Sequence, residues 1–276
     1  LINRKPSKKA LYCITGNFAR LACEEAKRYG NIEIAASTES SNFDRVPEIH
    51  SENLDQNASY VHITSNNTIY GTRWPKIPDT GDLPLVVDAT SEILSRVTDY
   101  SQYGVIFAGA QKNLGPSGMA MVIIREDLLG HELPETPKLL NYSIYNNKHS
   151  LANTNNTFAI YVINLVLKWL KDQGGVAAME KINSEKAANL YGVVDQSDFY
   201  KGTVQKEFRS DMNVTFTLPS EDLLDRFLEQ SASEGLKSLK GHRSVGGIRA
   251  SIYNAMPMEG VRALIDFMAE FERQNG

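Results

Sequence analysis

Three stretches of the chain end an apolar run in residues able to do chemistry. "YVHITSNNTIYG" closes on Asn66, Asn67 and Thr68; "LPLVVDATS" closes on Asp88, with Thr90 and Ser91 behind it; "GVIFAGAQKN" closes on Lys112. Small residues surround Lys112, with Ala108-Gly109-Ala110 before it and Gly115-Pro116 and Gly118 after it. A lysine at a strand end ordinarily snorkels to water beside a tight turn. An acid and an amine on neighbouring strand ends can instead converge on one ligand. Pyridoxal phosphate uses such a pair, the amine for a Schiff base and the carboxylate beside its pyridine nitrogen. Asp88 would keep that nitrogen protonated, and Lys112, once released, would move the proton at the substrate's α-carbon. A structural salt bridge is the competing explanation of the same two residues.

A second cluster lies far downstream. "GHRSVGGIRAS" places His242, Arg243 and Arg249 close together, with Gly246 and Gly247 allowing the backbone to approach a ligand. Arginine forks suit carboxylate and phosphate groups, and a substrate bearing both needs more than one cation. The plain alternative is a solvated basic surface.

The elements that must position these residues follow from apolar periodicity. "ALYCIT" reads as a strand, "FARLACEEAKRYG" as a helix ended by Gly30, and "IEIAAS", "YVHIT", "PLVVD", "GVIFAG" and "MAMVIIR" as further strands. Near-continuous apolar strands alternating with helices predict a mostly parallel α/β sheet covered on both faces, with ligands beyond the carboxyl ends of its strands. "FAIYVINLVLKWL" is broken by Asn164 and Lys168 and falls short of the about 20 residues a membrane span needs, so a buried helix is expected. "VAAMEKINSEKAANLYGVVDQS" reads as another helix. "MNVTFTL" alternates as a half-exposed strand with Met212, Val214, Phe216 and Leu218 on one face. A helix is expected from Ser220 to before Gly235, a strand at "GGIRASI", and a last helix opening at Pro257 with Val261, Leu264, Ile265, Met268 and Phe271 inward. The change of character predicts a large domain over 1–179 and a smaller α+β domain over 180–276.

Composition narrows the partners. With 276 residues, 42% of them hydrophobic, the chain can bury a sizeable core, and a net charge of −4 speaks against a nucleic-acid surface. No apolar leader follows Leu1-Ile2, so a cytoplasmic protein without membrane contact is expected. Cys13 and Cys23, the only two cysteines, read as reduced core residues, and the five scattered histidines suggest no metal site.

Four segments carry a resemblance: "SNNTIYGT", "VVDATSEILSR", "YGVIFAGAQKNLGPSGMAMVIIREDLLG" and "GHRSVGGIRASIYNAMPMEGVRALIDFMAEFERQ". Together they resemble the phosphoserine aminotransferases, class V pyridoxal-phosphate enzymes with the aspartate-aminotransferase-like fold. The resemblance implies transfer of the amino group of glutamate to 3-phosphohydroxypyruvate, in serine biosynthesis and, in some bacterial members, in pyridoxine biosynthesis. It implies Lys112 as the Schiff-base lysine, Asp88 as the pyridine partner, Thr68 at the phenolic oxygen and Gln111 at the phosphate. Asn153 and Thr154 in "LANTNNTF" match a pair that reaches the other subunit's cofactor, implying a homodimer with shared active sites. Phe18 in "TGNFARLA" falls where the family has a stacked tryptophan; phenylalanine can stack but lacks the indole donor. Arg249 is implied for the α-carboxylate, with His242 and Arg243 toward the phosphate or the distal carboxylate.

The resemblance begins inside the family's large domain, so roughly the first quarter of the usual chain is expected before Leu1. That part would hold a glycine-rich turn at the cofactor phosphate and a His-Arg pair acting across the dimer. A class V transaminase with another acidic substrate, or a truncated non-catalytic remnant, are the alternatives.

Overall fold

The computed structural model describes residues 1–276. The chain opens with strand β1 (Lys9–Ile14), helix α1 (Asn17–Ala26) and strands β2 (Asn31–Ser37) and β3 (Val61–Thr64). A short hairpin of β4 (Asn66–Asn67) and β5 (Thr72–Arg73) follows, then β6 (Leu85–Asp88), β7 (Val105–Gly109) and β8 (Ala120–Ile124). Six of these strands form one sheet in the order β2-β1-β3-β6-β7-β8. All neighbours are parallel except β7 and β8, which run antiparallel.

Period-two alternation sorts the strand residues to two faces. Leu11, Cys13, Val61, Ile63, Leu85, Val87, Ile106 and Ala108 enter one core cluster, whereas Ala10, Tyr12, Ile14, Val86 and Val105 enter another. Both faces of the central strands are therefore covered, which is why their sequences read as unbroken apolar runs. The edge strands are less protected, leaving Ile34 of β2 and Ile123 of β8 exposed. Thr64 pairs with Asp88 and Asp88 with Phe107, so the carboxyl ends of β3, β6 and β7 lie level and side by side. That register delivers Thr68, Asp88 and Lys112 to one rim of the sheet.

The second half contributes α2 (Tyr142–Asn147), α3 (Thr157–Asp172), α4 (Gly175–Gln196), β9 (Lys201–Gly202), β10 (Asn213–Thr217), α5 (Glu221–Ser233), β11 (Ile248–Ser251) and α6 (Met258–Asn275). An antiparallel sheet, β11-β10-β9, packs with α4, α5 and α6 around a cluster of 18 buried residues running from Ala187 to Phe271. Phe227 sits at its centre, edge-on to Phe267 at 4.9 Å and to Phe271 at 5.1 Å, a geometry that satisfies the ring quadrupoles. The Ser220 hydroxyl accepts from the Leu223 amide at 3.2 Å and so starts α5 at the expected residue. In α6, Val261, Leu264, Met268 and Phe271 face inward as predicted; Phe267 joins them and Ile265 is only half-buried.

Two expectations need correction. β10 is not half-exposed: Val214 and Phe216 enter the core, but Asn213 and Thr215 on its other face are buried as well, at 0% and 5% exposure. That face packs on the β4–β5 hairpin, where the Thr215 hydroxyl donates to the Tyr70 carbonyl at 3.0 Å. Helix α3 is not buried either. Phe158 is 69% and Tyr161 59% exposed, and Ile160, Leu165 and Leu167 also face outward. Its other side packs against the turn after Lys112, where Ile163 closes over Gly115, so a helix apolar nearly all round has one face covered and one bare. No helix is long and apolar enough to cross a membrane.

Candidate active site

The site gathers where β3, β6 and β7 end. β7 finishes on Gly109, over which the Gln111 amide folds: a Cβ there would lie 2.5 Å from its Oε1, and the flexible glutamine would have to swing aside. The Gly109 amide donates to the Thr90 hydroxyl at 3.2 Å, and the Thr90 amide donates to Oδ1 of Asp88 at 2.9 Å. This chain of bonds ties the end of β7 to the carboxylate of β6. The Ser65 amide and hydroxyl both donate to the Asp88 carbonyl, at 3.0 and 3.1 Å, and fix the strand end from the β3 side.

Lys112 lies half-buried beyond β7, and its Nζ donates to the Thr68 hydroxyl at 2.6 Å. The Phe18 ring, from the first turn of α1, has its centroid 5.8 Å from that nitrogen. Burial lowers the Lys112 ammonium from 10.5 to about 8; the Asp88 carboxylate opposes the fall and the Arg249 guanidinium adds to it. The charges of Asp88 and Arg249 thus both reach the amine, although Arg249 lies in the other core's sheet. Arg249 pairs with Thr215 across β10 and β11, and its buried Nε has no partner within the chain. A buried donor without a partner calls for an acceptor, and a ligand carboxylate is one that suits a guanidinium.

The loop before β11 is tightly built. The Gly241 amide donates to the Gly247 carbonyl at 2.8 Å, and the Gly246 amide to the His242 carbonyl at 2.8 Å. Gly247 has φ +63, and a Cβ there would lie 2.7 Å from the Phe216 carbonyl oxygen, so no other residue closes this loop without strain. Arg243 is exposed on it, and His242 Nδ1 lies 2.7 Å from the Ser244 hydroxyl.

The fold therefore brings Lys112, Asp88, Thr68, Phe18 and Arg249 together. Gln111 stands exposed at the same rim. Asn153 and Thr154 do not join the group: Asn153 Oδ1 accepts from the Tyr145 hydroxyl at 3.2 Å, and its Nδ2 donates to the Thr154 carbonyl, so both bond within their own exposed loop.

His62 was passed over, although a histidine inside "YVHIT" is itself a signal. It is 3% exposed, stacks on Tyr12 at 4.6 Å and 16°, and has neither ring nitrogen hydrogen-bonded. It occupies the sheet face of Asp88, two pairing steps back on β3, where it pairs with Val86. Burial lowers it to about 4 against the opposing pull of the Asp88 charge, which leaves a neutral imidazole behind the carboxylate. Asn113 and Asn254 were also passed over; the first adjoins Lys112, and its Oδ1 accepts from the Asn254 amide at 3.1 Å.

The residues present fit pyridoxal phosphate. A partly desolvated amine, a carboxylate on the next strand, a hydroxyl bonded to the amine, an aromatic face and an unpartnered guanidinium edge are what a planar phosphorylated aldehyde and its amino-acid partner require.

Residues 3–264 match the family described as aminotransferase class-V. A phosphoserine aminotransferase of Desulfosudis oleivorans is 54% identical over 271 residues, covering 98% of this chain and 74% of its own length. The solved phosphoserine aminotransferase of Bacillus circulans subsp. alkalophilus superposes with a TM-score of 0.94 at 48% identity, over 97% of this chain and 74% of that one. The pyridoxal-phosphate-bound phosphoserine aminotransferase of Trichomonas vaginalis gives 0.90 at 36% identity, over 97% and 77%.

Proposed function

The chain belongs to the class-V aminotransferase family, and from that premise we propose that it transfers the amino group of glutamate to 3-phosphohydroxypyruvate, giving O-phosphoserine and 2-oxoglutarate. The observation that carries this reading is Lys112: a half-buried amine 2.6 Å from Thr68, between the charges of Asp88 and Arg249. Pyridoxal phosphate, the cofactor of this family, supplies when bound an electron sink for the substrate's α-carbon.

Each of the chain's own groups has a role in that reading. Lys112 both holds the cofactor and, as a free amine, moves the α-proton. With the amine near 8, about one-tenth of it is neutral at pH 7, far more than for an ordinary lysine. The Thr68 hydroxyl keeps Nζ aimed into the site. Asp88 lies at the strand end where a carboxylate meets the pyridine nitrogen, and Phe18 offers the stacking face. Arg249 binds the α-carboxylate through its guanidinium, with His242 and Arg243 toward the phosphate or the distal carboxylate. Gln111 serves the cofactor phosphate.

Residues 1–179 act as the cofactor-holding unit and residues 180–276 as the unit that supplies Arg249. The bare apolar face of α3 and the adjoining Asn153-Thr154 loop belong to a homodimer in which that pair reaches the partner's cofactor. A reducing compartment, the cytoplasm, suits the free buried thiols of Cys13 and Cys23.

The test is borohydride trapping. The chain is incubated with pyridoxal phosphate, reduced and digested, and the adduct is located by mass spectrometry. An adduct dominated by Lys112 and lost in Lys112→Ala, with glutamate-dependent formation of the aminated cofactor, is expected. Label spread over surface lysines would refute the assignment.

A further inference from the structure

Lys112 and Arg249 belong to different cores, yet an amino acid held by both requires a fixed distance between them. Two hydrophobic clusters meeting through apolar side chains would not supply it, because apolar contact is non-directional. The seam here is instead made of buried amides. Asn66 Nδ2 donates to Asn213 Oδ1 at 2.9 Å, and Asn213 Nδ2 donates onward to the Ser251 and Tyr253 hydroxyls at 3.0 and 3.2 Å. A second line runs through Asn254. Its backbone amide donates to Asn113 Oδ1 at 3.1 Å, its Nδ2 donates to the Leu94 carbonyl at 3.0 Å, and its Oδ1 accepts from Asn183 of α4 at 2.9 Å.

These lines end beside the reacting groups. Asn113 follows Lys112 in the chain, Asn66 lies just before Thr68, and Ser251 closes the strand that carries Arg249. The Asn254 loop is held from behind by Lys186, a fully buried ammonium that donates to the carbonyls of Ile252, Tyr253 and Met256 at 3.1, 2.9 and 3.0 Å. All three ammonium protons are used, so this loop has one position in which the charge is satisfied.

Resting on the proposed roles of Lys112 and Arg249, we infer that Asn254 is a positioning residue for the transamination: it holds the Arg249 strand in register with Lys112. Removing its side chain frees the Leu94 carbonyl and leaves Asn183 to the Ser95 carbonyl alone. The backbone bond to Asn113 survives, and the seam loosens at its Leu94 and Asn183 anchors while each core keeps its own apolar packing. Misplacement of a binding group by about 1 Å can cost on the order of 100-fold in rate.

The experiment compares the unaltered chain with Asn254→Ala. Without cofactor, the Lys112 amine is labelled competitively with acetic anhydride across pH and quantified by mass spectrometry; with cofactor, the glutamate half-reaction is timed. Asn254→Ala is expected to move the Lys112 midpoint upward from about 8, as water enters and Arg249 retreats, and to lower the half-reaction rate at least about tenfold. Near-UV circular dichroism establishes that each variant is folded, and Asn183→Ala, which cuts the same bond from the helix side, replaces Asn254→Ala if that variant does not fold. A depressed midpoint and an unchanged rate in a folded variant overturn the positioning role and leave the function standing. An ordinary lysine profile in the unaltered chain overturns the site assignment itself and the positioning role with it.

Discussion

The two charges that face Lys112 should move its ionisation in opposite directions. Burial lowers the ammonium from 10.5 to about 8, a cost of about 3 kcal/mol at 1.36 kcal/mol per tenfold change. Asp88 works against that fall and Arg249 with it. Replacing Arg249 by Gln removes a like charge, so the midpoint should rise, though not to 10.5, because burial remains the larger cause. Replacing Asp88 by Asn removes the opposite charge, and the midpoint should fall below 8. A single charge across a partly solvated site is worth on the order of 1 kcal/mol, which is roughly fivefold in the neutral amine at pH 7. Arg249→Gln should therefore label Lys112 about five times more slowly at pH 7, and Asp88→Asn several times faster, until the neutral form saturates. The assay is competitive acetylation of the cofactor-free chain, with the exposed lysines as internal standards. Shifts of the same sign in both variants, or none in either, would refute the reasoning, because the depression would then come from burial alone.

Three further outcomes are expected. Stability should rise as pH passes 8, because Lys112 and Lys186 both have folded values near 8 and, in the unfolded chain, bind protons up to about 10.5. Above about 9 the gain should reverse, since burial pushes the Cys13 thiol up to about 12 and Tyr12, Tyr191 and Tyr200 upward too, so the unfolded chain sheds those protons first; urea midpoints at successive pH values that only fall from pH 7 upward would contradict this. If the proposed homodimer forms through the bare face of α3, Leu165→Glu should leave far-UV circular dichroism unchanged and convert that dimer to monomer in sedimentation, whereas an unaltered sedimentation profile would remove α3 from the proposed interface. Phe18→Ala should weaken cofactor binding by at least about 0.5–1.5 kcal/mol, or roughly two- to tenfold, in an absorbance titration, and no loss would show that the ring does not stack.

Much of this protein was decided by sequence at short range. Alternation in "YVHIT", "PLVVD" and "GVIFAG" sets which side chains face each core, and a parallel α/β sheet places its useful residues at strand ends, so Asp88, Lys112 and Thr68 could be named from the chain alone. The "GHRSVGGIRAS" segment likewise announced Arg249 and a glycine-bound loop. What the sequence did not decide depends on contacts between residues far apart in the chain. The second face of β10 reads as solvent-exposed until the hairpin after β3 covers it. Helix α3 reads as core because it is apolar nearly all round, yet residues 1–276 cover only one of its sides. Asn66 and Asn213 are 147 residues apart, and each looks like an ordinary polar residue until the fold sets their amides 2.9 Å from one another. Lys186 is the plainest case. Within "NSEKAAN" it has the form of a solvated helix lysine, and only the tertiary structure puts three carbonyl oxygens around its ammonium. Apolar patterning acts through local geometry and is written along the chain, whereas the hydrogen-bond partner of a buried polar group is chosen by the packing of distant segments.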